Sequence, residues 1–130
     1  MKPEELMMLA KEAITRAYAP YSGFWVGAAL LGADGRVYTG CNVENGAFSP
    51  TICAERTAFA KAISEGCREF SAMAVCGGKD GVIAGFCTPC GVCRQVMGEF
   101  CGDDFPVYIT DGKTLKVRTL KELLPDSFQL

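Results

Sequence analysis

At 130 residues, 49% hydrophobic and 22% charged, the chain is long enough to bury a core as one domain and too apolar to be disordered. A net charge of −2 without a Lys/Arg block gives little purchase on nucleic-acid phosphates, and no apolar run approaches the roughly 20 residues of a membrane span. Eight cysteines behind an acidic, amphipathic start (Met1 to Glu5), which is not a signal-peptide pattern, are expected in a cytoplasmic protein as metal ligands and buried thiols rather than as a disulfide scaffold.

Pro3 to Tyr18 is predicted as a helix, with Leu6, Leu9, Ala10, Ala13, Ile14 and Ala17 on one face. Ala19-Pro20-Tyr21-Ser22-Gly23 breaks it. Phe24–Leu31 and Arg36–Val43 form a predicted hairpin around Ala33-Asp34-Gly35-Arg36. Glu44 to Thr51 is a loop, and Ile52 to Glu65 a helix ended by Gly66. Phe70 to Cys76 should be a strand closed by Gly77-Gly78. Pro89 opens a helix over Gly91 to Phe100. Pro106–Thr110 and Lys113–Val117 are predicted antiparallel strands about a two-residue Asp111-Gly112 turn. A last helix, Thr119 to Leu124, ends at Pro125. The expected architecture is α/β in three layers, a mixed sheet of about five strands with helices on both faces and the last two strands antiparallel, over residues 1–130.

Two segments carry chemistry. Cys53-Ala54-Glu55-Arg56 offers a thiolate, a carboxylate two residues on and an adjacent cation. Pro89-Cys90-Gly91-Val92-Cys93 offers two thiolates at C-x-x-C spacing. Three protein ligands leave a tetrahedral zinc open for water, whereas a structural site is closed by four. Cys-x-Glu followed by Pro-Cys-x-x-Cys is the signature of zinc deaminases. Cys53 and Cys90 fall at predicted helix starts, where free N–H groups favour thiolate. The chain has no histidine, so a proton carrier must come from another residue type, and Glu55 is the natural candidate. Three thiolates on a dication leave the site formally −1, which works against acidifying a bound water. Arg56 and the helix ends are the candidates to offset that charge. Cys87 leaves an alternative open: with Cys53, Cys90 and Cys93 it could close a structural four-cysteine site. An iron–sulfur run is opposed by Met97 at the position where the fourth cysteine is needed.

The chain resembles the cytidine deaminases of the small, homotetrameric, all-cysteine zinc type. The likeness runs through Pro20–Leu30, Gly40-Cys41-Asn42-Val43-Glu44-Asn45, Thr51–Ala58, Thr88–Gln95 and Glu122–Pro125 with Phe128. The resemblance implies one zinc ion per subunit on Cys53, Cys90 and Cys93, with Glu55 shuttling protons. It implies that Asn42 and Glu44 hold the ribose hydroxyls, Phe24 packs on the base and the backbone of Ala54 meets the pyrimidine edge. Phe128 would reach a neighbouring subunit's site, and Phe48, where the family often has tyrosine, would be a further substrate contact lacking a hydroxyl. Thr88 replaces a more usual serine. The implied reaction is hydrolytic deamination of cytidine and 2′-deoxycytidine in pyrimidine salvage, on a free nucleoside, without nucleic acid or membrane. Rival readings are a blasticidin-S-type aminonucleoside deaminase, a deaminase of bases in nucleic acid, and a zinc-stabilised binding module that needs no catalytic carboxylate.

Overall fold

A computed structural model describes residues 1–130. The elements in chain order are α1 (Pro3–Ile14), β1 (Phe24–Gly32), β2 (Val37–Cys41), α2 (Ala54–Ser64), β3 (Phe70–Lys79), α3 (Gly91–Phe100), β4 (Pro106–Thr110), β5 (Leu115–Thr119) and α4 (Leu120–Leu123). The five strands form one sheet in the order β2-β1-β3-β4-β5. β3 and β4 are parallel, and every other neighbouring pair is antiparallel. The expected mixed sheet with an antiparallel final pair is therefore present.

Alternation along the central strands builds the layers. Ala29 of β1 and Ala72, Ala74 and Cys76 of β3 face α1 and pack on Leu6, Met7, Ala10 and Ile14. Ala28 and Leu30 of β1 and Met73 and Val75 of β3 face the other way, onto Ala54, Ala58, Phe59 and Ala62 of α2 and Met97 of α3. Phe59 is 1% exposed. It meets Phe70 edge-on at 5.0 Å and stacks on Phe100 at 6.2 Å. Truncating such a residue to alanine costs about 3–5 kcal/mol. α2 lies close to β2 because Gly40 lacks a side chain: a Cβ there would sit 2.4 Å from the Ala54 carbonyl oxygen. That close approach fixes the start of α2, where Cys53 and Glu55 are found.

Several boundaries differ from the sequence expectation, each for a local reason. α1 stops at Ile14 instead of Tyr18. Its end tightens into i→i−3 hydrogen bonds at Thr15, Arg16 and Ala17, and Tyr18 then pairs with the chain at Asn42 and Glu44. β2 ends at Cys41 because Asn42 keeps only half of its ladder pairing. Its N–H donates to the Val26 carbonyl at 3.3 Å, but its carbonyl accepts from Tyr18 N–H at 2.9 Å. Its side-chain Oδ1 accepts from Val26 N–H at 2.9 Å, while Nδ2 donates to the Phe24 carbonyl at 2.8 Å. β3 continues through Gly77-Gly78 to Lys79. At Gly78 a Cβ would lie 1.8 Å from the Val82 carbonyl oxygen, so this glycine serves a close approach and not a strand stop. The final hairpin pairs Thr110 with Leu115, so its connection is Asp111 to Thr114 rather than two residues. Asp111 Oδ1 caps it by accepting from Lys113 N–H and Thr114 N–H at 2.9 and 2.7 Å. Thr119 is the N-cap of α4, with a reciprocal capping box to Glu122.

Candidate active site

Cys53 and Cys90 occupy equivalent places, as the N-caps of α2 and α3. Both have extended backbone dihedrals, and neither side chain caps its own helix. The sulfurs turn towards each other instead, 3.7 Å apart. Cys93 sits three residues after Cys90, on the same helical face. The Sγ atoms of Cys53, Cys90 and Cys93 all lie within 4.8 Å of one another, and Cys87 is outside this group. A tetrahedral zinc with Zn–S bonds of about 2.3 Å needs sulfurs about 3.8 Å apart. The soft, three-thiolate donor set and its spacing fit zinc with one position open, and the closed four-cysteine alternative fails because Cys87 is elsewhere.

Arg56 follows on the first turn of α2, and its Nη2 donates to Cys53 Sγ at 3.5 Å. Its Nε is buried without a hydrogen-bond partner. A guanidinium is placed so at a cost unless negative charge lies beside it. Hydrogen bonding to Cys53 raises the Arg56 pKa further. In turn, hydrogen bonding from Cys93, then from Arg56 and Cys90, lowers the Cys53 thiol to about 5 against the cost of its burial. Cys93, donating to Cys53, is pushed up.

Glu55 is 4% exposed, a carboxylate in the wall of the site. Burial, with the Cys53 charge adding to it, pushes its carboxyl up to about 7. A group poised there can both accept and return a proton near neutrality.

Two of the three cysteines, Cys53 and Cys90, line a cleft of about 270 Å³ together with Phe24, Asn42, Glu44, Ala54 and Glu55 among others, while Cys93 is buried. That volume is of the order of a small-ligand pocket. Asn42 and Glu44 both reach it, although neither belongs to β2. Glu44 is held from the opposite loop: Oε1 accepts from Tyr21 N–H at 2.9 Å and Ser22 N–H at 3.1 Å, and Oε2 accepts from the Ser22 hydroxyl. Those bonds, the Ser22 hydroxyl foremost, hold the Glu44 carboxyl below its ordinary range.

Two sequence-predicted contacts are not brought to the cleft by this chain. Phe48 is 74% exposed, has φ +64° and meets Tyr21 edge-on at 6.5 Å. Phe128 is 64% exposed in the C-terminal tail. Conversely, Ser22, Val26, Thr51, Ile52, Cys87 and Thr88 line the cleft without having been singled out as contacts. Ser22 is the one with a detectable signal, a hydroxyl in the Pro20–Gly23 break facing the Asn42/Glu44 segment. Burial pushes the Cys87 thiol up to about 12, so it stands in the wall as a neutral, weakly polar group.

A three-layer α/β fold with a three-thiolate metal corner and a buried carboxylate in one cleft defines a class of metal-dependent hydrolase. Residues 1–109 match the family model for the cytidine and deoxycytidylate deaminase zinc-binding region. A relative from Sporosarcina psychrophila, named cytidine deaminase, is 50% identical over 129 residues, covering 98% of this chain and 92% of its own. One of the same name from Halalkalibacterium halodurans is 48% identical over 125 residues, covering 93% and 92%. The crystal structure of cytidine deaminase from Burkholderia pseudomallei superposes with a TM-score of 0.90 at 44% identity, covering 98% of this chain and 100% of that one. That of Mycobacterium tuberculosis does so with a TM-score of 0.85 at 40% identity, covering 100% and 99%. The chain belongs to the cytidine and deoxycytidylate deaminase family.

Proposed function

We propose that residues 1–130 form a single cytidine deaminase domain that hydrolyses cytidine and 2′-deoxycytidine to uridine and deoxyuridine with release of ammonia, as a step of pyrimidine salvage in the cytoplasm. The observation that carries the reading is a cluster of three sulfurs within 4.8 Å of one another, two of whose cysteines line the same small cleft as a 4%-exposed carboxylate. Cys53, Cys90 and Cys93 would hold one zinc ion per subunit. Bound there, zinc supplies Lewis acidity that makes water nucleophilic at neutral pH. Glu55 takes one proton from the attacking water and gives it to the ring nitrogen, then takes the remaining proton of the added hydroxyl to the amine, which leaves as ammonia as the carbonyl forms. Its pKa of about 7 suits both directions of transfer. Arg56 offsets the negative charge of three thiolates by hydrogen bonding to Cys53.

The substrate roles follow the lining of the cleft. Phe24 packs on the base, the Ala54 backbone meets the pyrimidine edge, and Asn42 and Glu44 take the ribose hydroxyls. Glu44 can accept and Asn42 can both donate and accept, which suits a pair of hydroxyls. Phe48 and Phe128, exposed and away from this chain's cleft, act as contacts between subunits of a homotetramer whose sites lie at the interfaces. A free nucleoside is favoured over a base in nucleic acid by the net charge of −2 and by the antiparallel β4–β5 pair. No helix is long and apolar enough to cross a membrane.

Ultraviolet assays on cytidine, 2′-deoxycytidine, blasticidin S and a cytosine-containing single-stranded oligonucleotide test the reading. Turnover is expected on the first two. Turnover on blasticidin S or the oligonucleotide with none on cytidine would replace it.

A further inference from the structure

We infer that Arg94 is a positioning residue that ties the metal loop to the C-terminal segment, so that α4 helps set how firmly Cys90 grips the metal. The inference rests on Cys53, Cys90 and Cys93 being the zinc ligands. Those three cysteines are held very differently. Cys93 is 1% exposed inside α3. Cys53 has its sulfur bonded by Arg56, whereas its carbonyl is held as that of Cys90 is, by the helix N–H four residues on (Thr57 and Arg94, each at 3.0 Å). Cys90 is exposed, and it ends a loop with almost no internal support. Residues 83–89 make no backbone–backbone hydrogen bond. What anchors the end of that loop is Arg94 Nε, which donates to the Pro89 carbonyl at 2.7 Å.

The peptide that Arg94 holds is the one joining Pro89 to Cys90. Fixing its carbonyl fixes the direction in which the Cys90 side chain leaves the backbone. Pro89 itself is fully buried, so the loop is pinned by packing on one side and by the guanidinium on the other. The reach follows from helix geometry, because a side chain at this position points back over the first turn.

The other tine of the guanidinium bridges to a different part of the chain. Arg94 Nη1 donates to the Leu123 carbonyl at 2.8 Å. Leu123 is the last residue of α4, where carbonyls lack intrahelical partners. α4 is a firm base for a strut: its N-terminus carries the Thr119/Glu122 capping box, and Leu120 and Leu123 are buried in the main core. A planar fork can hold two carbonyls from separate segments at once, which an ammonium on a flexible stem does poorly. Arg94 touches neither the cleft nor the sulfurs by any hydrogen bond. Its effect on the metal is therefore indirect, through the loop.

The test is the rate at which zinc-loaded protein surrenders its metal to 4-(2-pyridylazo)resorcinol, with circular dichroism followed in parallel at a temperature well below unfolding. Arg94→Gln should release zinc about tenfold faster than wild type or more, as losses of groups that orient metal ligands do. Arg94→Lys should fall between the two. Thr119→Val, which removes the cap at the opposite end of α4 from Leu123, should speed release by a smaller factor, and combining it with Arg94→Gln should give less than the product of the two. Release from Arg94→Gln at the wild-type rate would overturn the strut, as would release that merely tracks each variant's global unfolding rate. If Arg94→Gln does not fold, wild-type release rates in both Arg94→Lys and Thr119→Val overturn it equally. A wild type that retains no zinc after purification with the metal overturns the ligand assignment itself, and the strut with it.

Discussion

The metal corner and the rim of the cleft are finished to different degrees by one chain. At the corner, two helix starts and one helical turn bring three sulfurs within 4.8 Å, with Glu55 and Arg56 on the adjoining turn. Nothing beyond this chain is needed to build it. At the rim, Phe24 lines the cleft, while Phe48 and Phe128 stand 74% and 64% exposed outside it. Self-association is the role proposed for these two side chains above. On the function proposed above, the difference teaches that the chemistry is assembled within one chain and the substrate is enclosed with the help of its neighbours.

Experiments that break the corner should have the largest effects. Cys53→Ala should lose zinc and reduce cytidine turnover to background, measured as metal content and ultraviolet absorbance on the same sample. Exhaustive chelation should do the same to wild type, with activity returning on adding zinc. Glu44→Gln acts at the boundary between the two regions. It removes a charged acceptor worth about 1.5–3 kcal/mol, so kcat/KM should fall roughly 10- to 100-fold with zinc content unchanged. Unchanged kinetics would remove Glu44 from the substrate site. Truncation after Pro125, which deletes Phe128, belongs to the rim. A loss of roughly tenfold in kcat/KM at full zinc occupancy is expected, corresponding to about 1.4 kcal/mol. Wild-type kinetics would place the tail outside any site. The smallest effect should come from Cys87→Ser, which lines the cleft but lies outside the sulfur cluster. Its zinc content should equal that of wild type, and a measurable loss would bring back a four-cysteine site.

The same contrast governs what could be read from the sequence. Cys53, Glu55 and Arg56 share one helical turn, and Cys90 and Cys93 share another. Spacing alone therefore put Cys53 with Arg56 and Cys90 with Cys93, each three residues apart, on common faces, with Glu55 on the same turn, and the sheet order only had to bring two helix starts together. β1 and β3 were legible as strands, while which of their residues face α1 and which face α2 is a finding of the structure. What was hidden depends on contacts between distant segments. Gly77-Gly78 looks like a strand stop, yet it continues β3 because the chain at Val82 comes close to it. Asn42 looks like a strand residue, yet β2 ends there because its carbonyl turns to Tyr18 and its side chain takes the Val26 N–H instead. Arg94 carries no local signal because its partner Leu123 lies 29 residues away, and the hydroxyl of Ser22 gains its meaning only from Glu44, 22 residues on. Cys87 has the spacing of a ligand and is excluded by geometry alone.

The central claim is that a three-thiolate zinc site works with Glu55 as its proton carrier. It is tested most directly by following cytidine loss in the ultraviolet for wild type and Glu55→Ala, with zinc quantified in both. General acid–base catalysis by a placed group contributes typically about 10²- to 10⁴-fold. Glu55→Ala should therefore retain its zinc and lose activity by at least the lower figure. Retained activity at full zinc occupancy would contradict the account.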